Sequence, residues 1–234
     1  MGANTTASNA TAVGHYAGAS NTTGDQLTAI GYNAAGSVTT ANYLTALGFS
    51  SLAANTTGTQ NTGLGIQTLL NTTTGSYNTA AGINALYANT TADYNTAMGQ
   101  NALFTNTTGA SNVAVGANAL DANTTGNHGT AVGYQALSTS TTAAGNTAVG
   151  YQAYLSNTTA VDGVAIGKFA LTANTTGNHN VAVGKSSLSA NTTGASNTAV
   201  GKSALGAATT ASGNTAVGIN SADAITTGYH NVAL

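Results

Sequence analysis

The sequence predicts an all-β fold, a parallel β-solenoid (β-roll or β-helix) with 17 residues per coil and about 14 coils. Three observations predict it. Glycine recurs at Gly14, Gly31, Gly48, Gly65, Gly82, Gly99, Gly116, Gly133, Gly150, Gly167, Gly184, Gly201 and Gly218, each step being 17 residues without an insertion. A Thr-Thr pair keeps the same period from Thr5 and Thr6 to Thr226 and Thr227, 14 pairs in all. An apolar column stands immediately before the glycine in every row. A period this strict marks one small unit stacked on copies of itself, because a single coil cannot bury its own apolar face.

In rows of 17 the consensus is N-T-A-V-G-x-x-A-L-x-x-N-T-T-G-x-x, positions 1 to 17, and its clearest copy begins at Asn146. Position 4 holds Val, Ile, Leu, Met or Ala in all 14 rows, and position 2 holds Thr in ten and Val in four, namely Val113, Val164, Val181 and Val232. These β-branched columns predict a short strand over positions 1 to 4. Positions 2 and 4 face one way and position 3 the other. Position 3 is Ala in 13 rows and Gly63 in the last, so both faces are apolar. A sheet apolar on both faces is covered on both faces. One side is the coil's own core, and the other asks for a partner.

Position 5 is glycine in every complete row, which predicts a positive φ or a close backbone approach. Position 15 takes Gly (Gly58, Gly126, Gly177) or Ala (Ala92, Ala143, Ala160), as at a corner that needs only a small side chain. Position 9 is a second apolar column, Leu52, Leu69, Leu86, Leu103, Leu120, Leu137, Leu171, Leu188 and Leu205, interrupted by Tyr154. It suggests a second strand around positions 7 to 9, with a third around 12 to 14. Stacked at about 4.8 Å per rung, the coils would form a rod of ~65 Å. Asn89, Asn106 and Asn123 align at position 12, and Asn95 and Asn112 at position 1. Such files predict amide ladders that satisfy turn backbone without charge.

Composition narrows the function. Only 3% of residues are charged and the net charge is -2, so there is no electrostatic footprint for nucleic acid. No segment is long and apolar enough for membrane insertion, and with no cysteine there is no thiolate chemistry. Asp25, Asp93, Asp121, Asp162 and Asp223 are scattered over positions 10, 16 and 17, which excludes a calcium ladder. His128, His179 and His230 share position 17 but stand three coils apart, too far for one metal within a subunit. With no Glu, no paired carboxylates and no nucleophile beside a base, neither an enzyme nor a cofactor is expected.

The most concentrated feature is Lys168, Lys185 and Lys202, all of the basic side chains, stacked at position 6 above Tyr134 and Tyr151. This aromatic and cationic stripe is the candidate binding site, for a surface glycan. Its competing role is solubility and defence against lateral association. The Thr files, including Thr56, Thr57, Thr107, Thr108, Thr158, Thr159, Thr175 and Thr176, suggest an alternative, binding of ordered water as in ice-binding solenoids. Asn-Thr-Thr also spells the N-glycosylation acceptor, at Asn55, Asn89 and Asn157 among others. Glycans so close together would obstruct packing, so the motif is expected to be a turn.

Asn180-Val181-Ala182-Val183-Gly184 and Gly163-Val164-Ala165-Ile166-Gly167 resemble the head repeats of trimeric autotransporter adhesins. The longer unit Asn-Thr-Ala-Val-Gly-Tyr-Gln-Ala, at residues 146 to 153 and followed by Asn-Thr-Thr, resembles repeats of phage tail-fibre and related surface proteins. The resemblance spans essentially the whole chain. It implies a left-handed β-roll, a homotrimer, and an extracellular place on a cell surface or virion. The expectation is one continuous solenoid domain, residues 1–234, acting as a structural and adhesive segment of a fibre, with itself and a host or environmental glycan as partners. Neither end carries a capping sequence, so a second expectation is a filament built by end-to-end stacking.

Overall fold

The structure, a computed structural model, describes residues 3–234. Met1 and Gly2, the first residues of the expected domain, lie outside the described residues. Contacts divide the chain into two compact units, Met1–Asn112 and Val113–Leu234. Each is a parallel β-solenoid, and no helix occurs among the described residues.

The first unit contains six strands, β1 (Thr11–Val13), β2 (Leu27–Ile30), β3 (Leu44–Leu47), β4 (Thr62–Leu64), β5 (Thr79–Ala81) and β6 (Thr96–Met98). They pair in chain order, all parallel, and each partner is 17 residues on, as in Thr11↔Thr28 and Thr62↔Thr79. The second unit contains eight, β7 (Val113–Val115), β8 (Thr130–Val132), β9 (Thr147–Val149), β10 (Val164–Ile166), β11 (Val181–Val183), β12 (Thr198–Val200), β13 (Thr215–Val217) and β14 (Val232–Ala233). Their register is the same, as in Ala148↔Ala165 and Ala182↔Ala199.

Only the first of the three suggested strands exists in each coil; positions 7 to 9 and 12 to 14 are turns and bends. Positions 7 and 9 both take left-handed backbone angles, as at Gln67 (φ 55), Leu69 (φ 50), Gln152 (φ 51) and Tyr154 (φ 55), and position 17 does so again. A chain that flips hand at alternate residues curls instead of extending. The curled backbone still bonds from coil to coil. Leu52, Ala54 and Thr56 donate N–H to the carbonyls of Thr68, Leu70 and Thr73 on the next coil, while Gln67 donates back to Phe49. The turn thus keeps part of the ladder's pairing from one coil to the next. Left-handed leucine costs about 1–2 kcal/mol. Complete burial of Leu69, Leu86 and Leu103 contributes about 1.5–3 kcal/mol each and offsets it.

The alanine face of the strand lines the core: Ala29, Ala46, Ala80, Ala97, Ala165 and Ala182 are fully buried. The larger Val, Ile and Leu side chains of position 4 point outward. The interior explains the choice, since it is already filled by the leucines of position 9 and by two files of asparagine. At position 1, Asn78 donates its N–H to Asn61 Oδ1 (2.9 Å) and its amide Nδ2 to the Ala92 carbonyl (2.8 Å). Asn197 repeats this with Asn180 and Ala211 in the second unit. At position 12, Asn55 Nδ2 closes a turn on the Gly58 carbonyl (2.9 Å), and Asn106 Nδ2 donates to Asn89 Oδ1 (3.1 Å) one coil below. Buried amides are stabilising only when paired, and these files do most of that pairing without a single charge, the Oδ1 of Asn191 being left without a partner. The acceptor asparagines Asn55, Asn89 and Asn157 are fully buried. Asn-Thr-Thr is thus the turn itself.

Both possibilities anticipated for position 5 hold together. Gly150 has φ 137, and a Cβ there would lie 2.7 Å from the carbonyl of Gly167 on the next coil. Position 15 is also crowded, because a Cβ on Gly126 would meet the carbonyl of Ala143. Its glycines lack the positive angle, and Ala92, Ala143 and Ala160 are buried at equivalent corners. Backbone angle separates the two glycine positions.

Candidate interaction surfaces

Strand alternation places position 4 on the outside of the solenoid, where it forms a file of exposed apolar side chains. In the first unit these are Val13, Ile30, Leu47, Leu64 and Met98, with Leu47 45% and Met98 44% exposed. In the second they include Ile166, Val200 and Val217. Beside each runs position 2, half-exposed Thr or Val. Isolated exposed leucines are ordinary on protein surfaces, but a contiguous apolar file marks a contact surface. The alanine face is the one its own core covers, and the Val/Ile/Leu face is the one left open to solvent.

At position 6 the sequence-predicted residues do come together. Tyr134 and Tyr151 are exposed and stacked, their centroids 5.5 Å apart and their planes 17° from parallel. The same happens in the first unit between Tyr32 and Phe49 (5.3 Å, 11°). Rings stacked along the file turn their faces to each other and their edges to solvent, so they offer little face for a sugar to stack on. Lys168 does not splay outward: its Nζ lies 5.4 Å from the Tyr151 centroid and 4.9 Å from that of Phe169. Phe169 was missed by sequence reasoning; its only signal is an aromatic at position 7, a position mostly polar elsewhere. Lys185 and Lys202 are exposed on the next two coils.

The Thr files divide by role. Thr56, Thr158 and Thr175 donate Oγ1 to the backbone carbonyls of Thr73, Thr175 and Thr192 on the following coils (3.1, 3.1 and 3.0 Å). Those hydroxyl protons stitch coil to coil and are not presented to a water lattice. Thr107 stands in the same file, half-buried like Thr56 and Thr175, while Thr57, Thr108, Thr159 and Thr176 form the exposed file beside it.

Elsewhere the chemistry is sparse. His179 Nε2 lies 3.9 Å from Asp162 Oδ2 with both side chains well exposed, the kind of pair that contributes little. Burial pushes the Asp121 carboxyl up, and backbone N–H groups at Asp121 and Ala122 partly oppose it. Among the described residues no three His, Asp or Glu side chains gather into a cation site. Comparisons with protein-family models, with curated proteins and with solved structures return no match.

Proposed function

We propose that the chain is a structural and adhesive segment of an extracellular fibre, on a bacterial surface or a phage tail, assembled from copies of itself. The observation that carries this reading is the outward apolar file of position 4. Its side chains vary in size, from Ala81 through Val217 to Leu47 and Met98, so it suits a surface that interdigitates with protein rather than one matched to a uniform lattice. The resemblance of Gly163–Gly167 and Asn180–Gly184 to trimeric adhesin heads supports a copy number of three, with the apolar files meeting along a common axis. Coil-to-coil hydrogen bonding supplies rigidity, and several copies give avidity to weak surface contacts.

Mass photometry and light scattering of the intact chain test this. Trimers are expected for the natural sequence, and monomers with an unchanged circular dichroism spectrum for the double substitution Leu47→Asp and Ile166→Asp. A natural chain that remains monomeric at micromolar concentration would reject assembly through this face.

A further inference from the structure

Lys168, Lys185 and Lys202 are all the cationic side chains of a 234-residue protein apart from its histidines, and they occupy one position of three consecutive coils. The pairing of β10 with β11 and of β11 with β12 sets that register. Ser186 and Ser203 fix the file's backbone by donating N–H to the carbonyls of Lys168 and Lys185, each at 2.9 Å. The three stems leave the backbone about 4.8 Å apart, so the file spans ~10 Å. Like charges on adjacent rungs repel. Charge meant only for solubility would be spread over the coils. None of the three is ion-paired among the described residues, where the one ion pair is His179 with Asp162. Lys168 is held against Tyr151 and Phe169, which orders its ammonium before any ligand arrives.

We propose that this file binds a linear anionic polysaccharide, a polymer carrying carboxylates on successive sugar rings, laid lengthwise along the second unit. Three ammonium groups set ~4.8 Å apart along one line let a polymer of carboxylates form charge-assisted hydrogen bonds at more than one point of its length. Position 7 supplies hydrogen-bonding groups for sugar hydroxyls in the same coils: Ser186 and Ser203 beside the lysines, and the Gln135–Gln152 amide pair beside the tyrosines. An open file suits a polymer better than a small molecule, which would need an enclosing pocket. Recognition is by charge, because Tyr134 and Tyr151 spend their ring faces on each other. The same stacking disfavours single-stranded nucleic acid, whose bases need free aromatic faces. The inference names the ligand of the attachment role proposed above and rests on that reading in one respect: the neighbouring apolar face, Ile166 and Val200, is covered by other copies and not by lipid.

The test is retention of the full chain on immobilised polygalacturonate, with uncharged dextran and phosphatidylglycerol vesicles in parallel, and mass photometry on every sample. Retention on polygalacturonate alone is expected, falling about tenfold or more toward 1 M salt, where the screening length is about 3 Å. The triple substitution Lys168→Gln, Lys185→Gln and Lys202→Gln should lose binding by at least about tenfold while keeping the assembly state, and Lys185→Arg should keep binding. A natural chain that is monomeric yet retained in this way supports the stripe while rejecting the assembly. Equal retention of the triple variant, equal binding to dextran, no retention at low salt, or lysine-dependent binding of vesicles alone would each overturn the proposal. Aggregation of the triple variant where the natural chain stays clear would also overturn it, by assigning the file to solubility.

Discussion

The phenol of Tyr154 stands in the space left by Gly163. Gly163 occupies position 1, where the amide file otherwise runs, and a Cβ there would lie 2.5 Å from the Tyr154 hydroxyl. In a regular coil the position 1 amide donates to the position 15 carbonyl, as Asn180 does to Gly194 (2.7 Å). Here Tyr154 Oη donates to that carbonyl, Gly177 O, at 3.5 Å and accepts from Asn174 Nδ2 at 3.2 Å. The complementary exchange occurs near the N-terminus, where small residues at position 9, Gly18 and Ala35, are followed by large ones at position 1, the buried Leu27 and Leu44.

Gly163→Asn should therefore destabilise by about 1–3 kcal/mol through overpacking. Tyr154→Leu should cost a similar amount through a cavity and the lost hydrogen bonds. The double substitution recreates the consensus and should recover most of the combined loss. Chemical denaturation of the four proteins gives the coupling, and strict additivity would contradict the exchange.

Two buried serines at position 8 should respond oppositely to alanine. Ser51 Oγ donates to the Gly63 carbonyl (3.0 Å) and bonds Thr68 Oγ1 (2.8 Å), whereas Ser187 Oγ is buried with no partner. Ser51→Ala should lower stability by about 1–2 kcal/mol, and Ser187→Ala should raise it by up to about 1 kcal/mol. Equal effects in thermal melts would refute the distinction.

At Gly150 both the angle and the space forbid a side chain. Gly150→Ala should cost about 3 kcal/mol or more, the strain of the backbone adding to the contact with Gly167. A shift of the denaturation midpoint equivalent to less than about 1 kcal/mol would show that the coils separate more easily than their hydrogen bonds suggest.

Alkaline pH should act through Tyr154. Burial pushes its phenol above the ordinary value, with the Asn174 amide opposing weakly. The fold favours the neutral phenol, so its contribution is complete below about pH 10 and is lost as pH rises through the raised value. Tyr154→Phe should be less stable than the natural chain at neutral pH and should show a shallower loss above pH ~10. Parallel curves across that range would remove Tyr154 from the account.

The period, the glycine angle and the asparagine files were legible in the sequence because each recurs in register and each has a single physical cause. Which strand face turns inward was not legible. Alternation separates Ala165 from Ile166 without saying which is buried, and size alone suggests the wrong one. The answer lies in how much room Leu171 and Asn180 leave, a three-dimensional quantity. The turn at positions 7 to 9 was hidden for a different reason. Leucine seldom takes a left-handed angle, so Leu69 or Leu188 in an apolar column reads as strand. The lysine file was visible as a column, but its contact with Phe169 needed coordinates, because positions 6 and 7 of one coil do not announce that a side chain folds back.

The asparagine files have one more consequence. Among the described residues the fully buried polar ones are Asn, Ser and Thr, with no carboxylate or ammonium among them. Proteins knit by internal ion pairs come apart when a shift in acidity discharges one partner. This interior has almost nothing to discharge, so its packing should change little between mildly acidic and mildly alkaline solution.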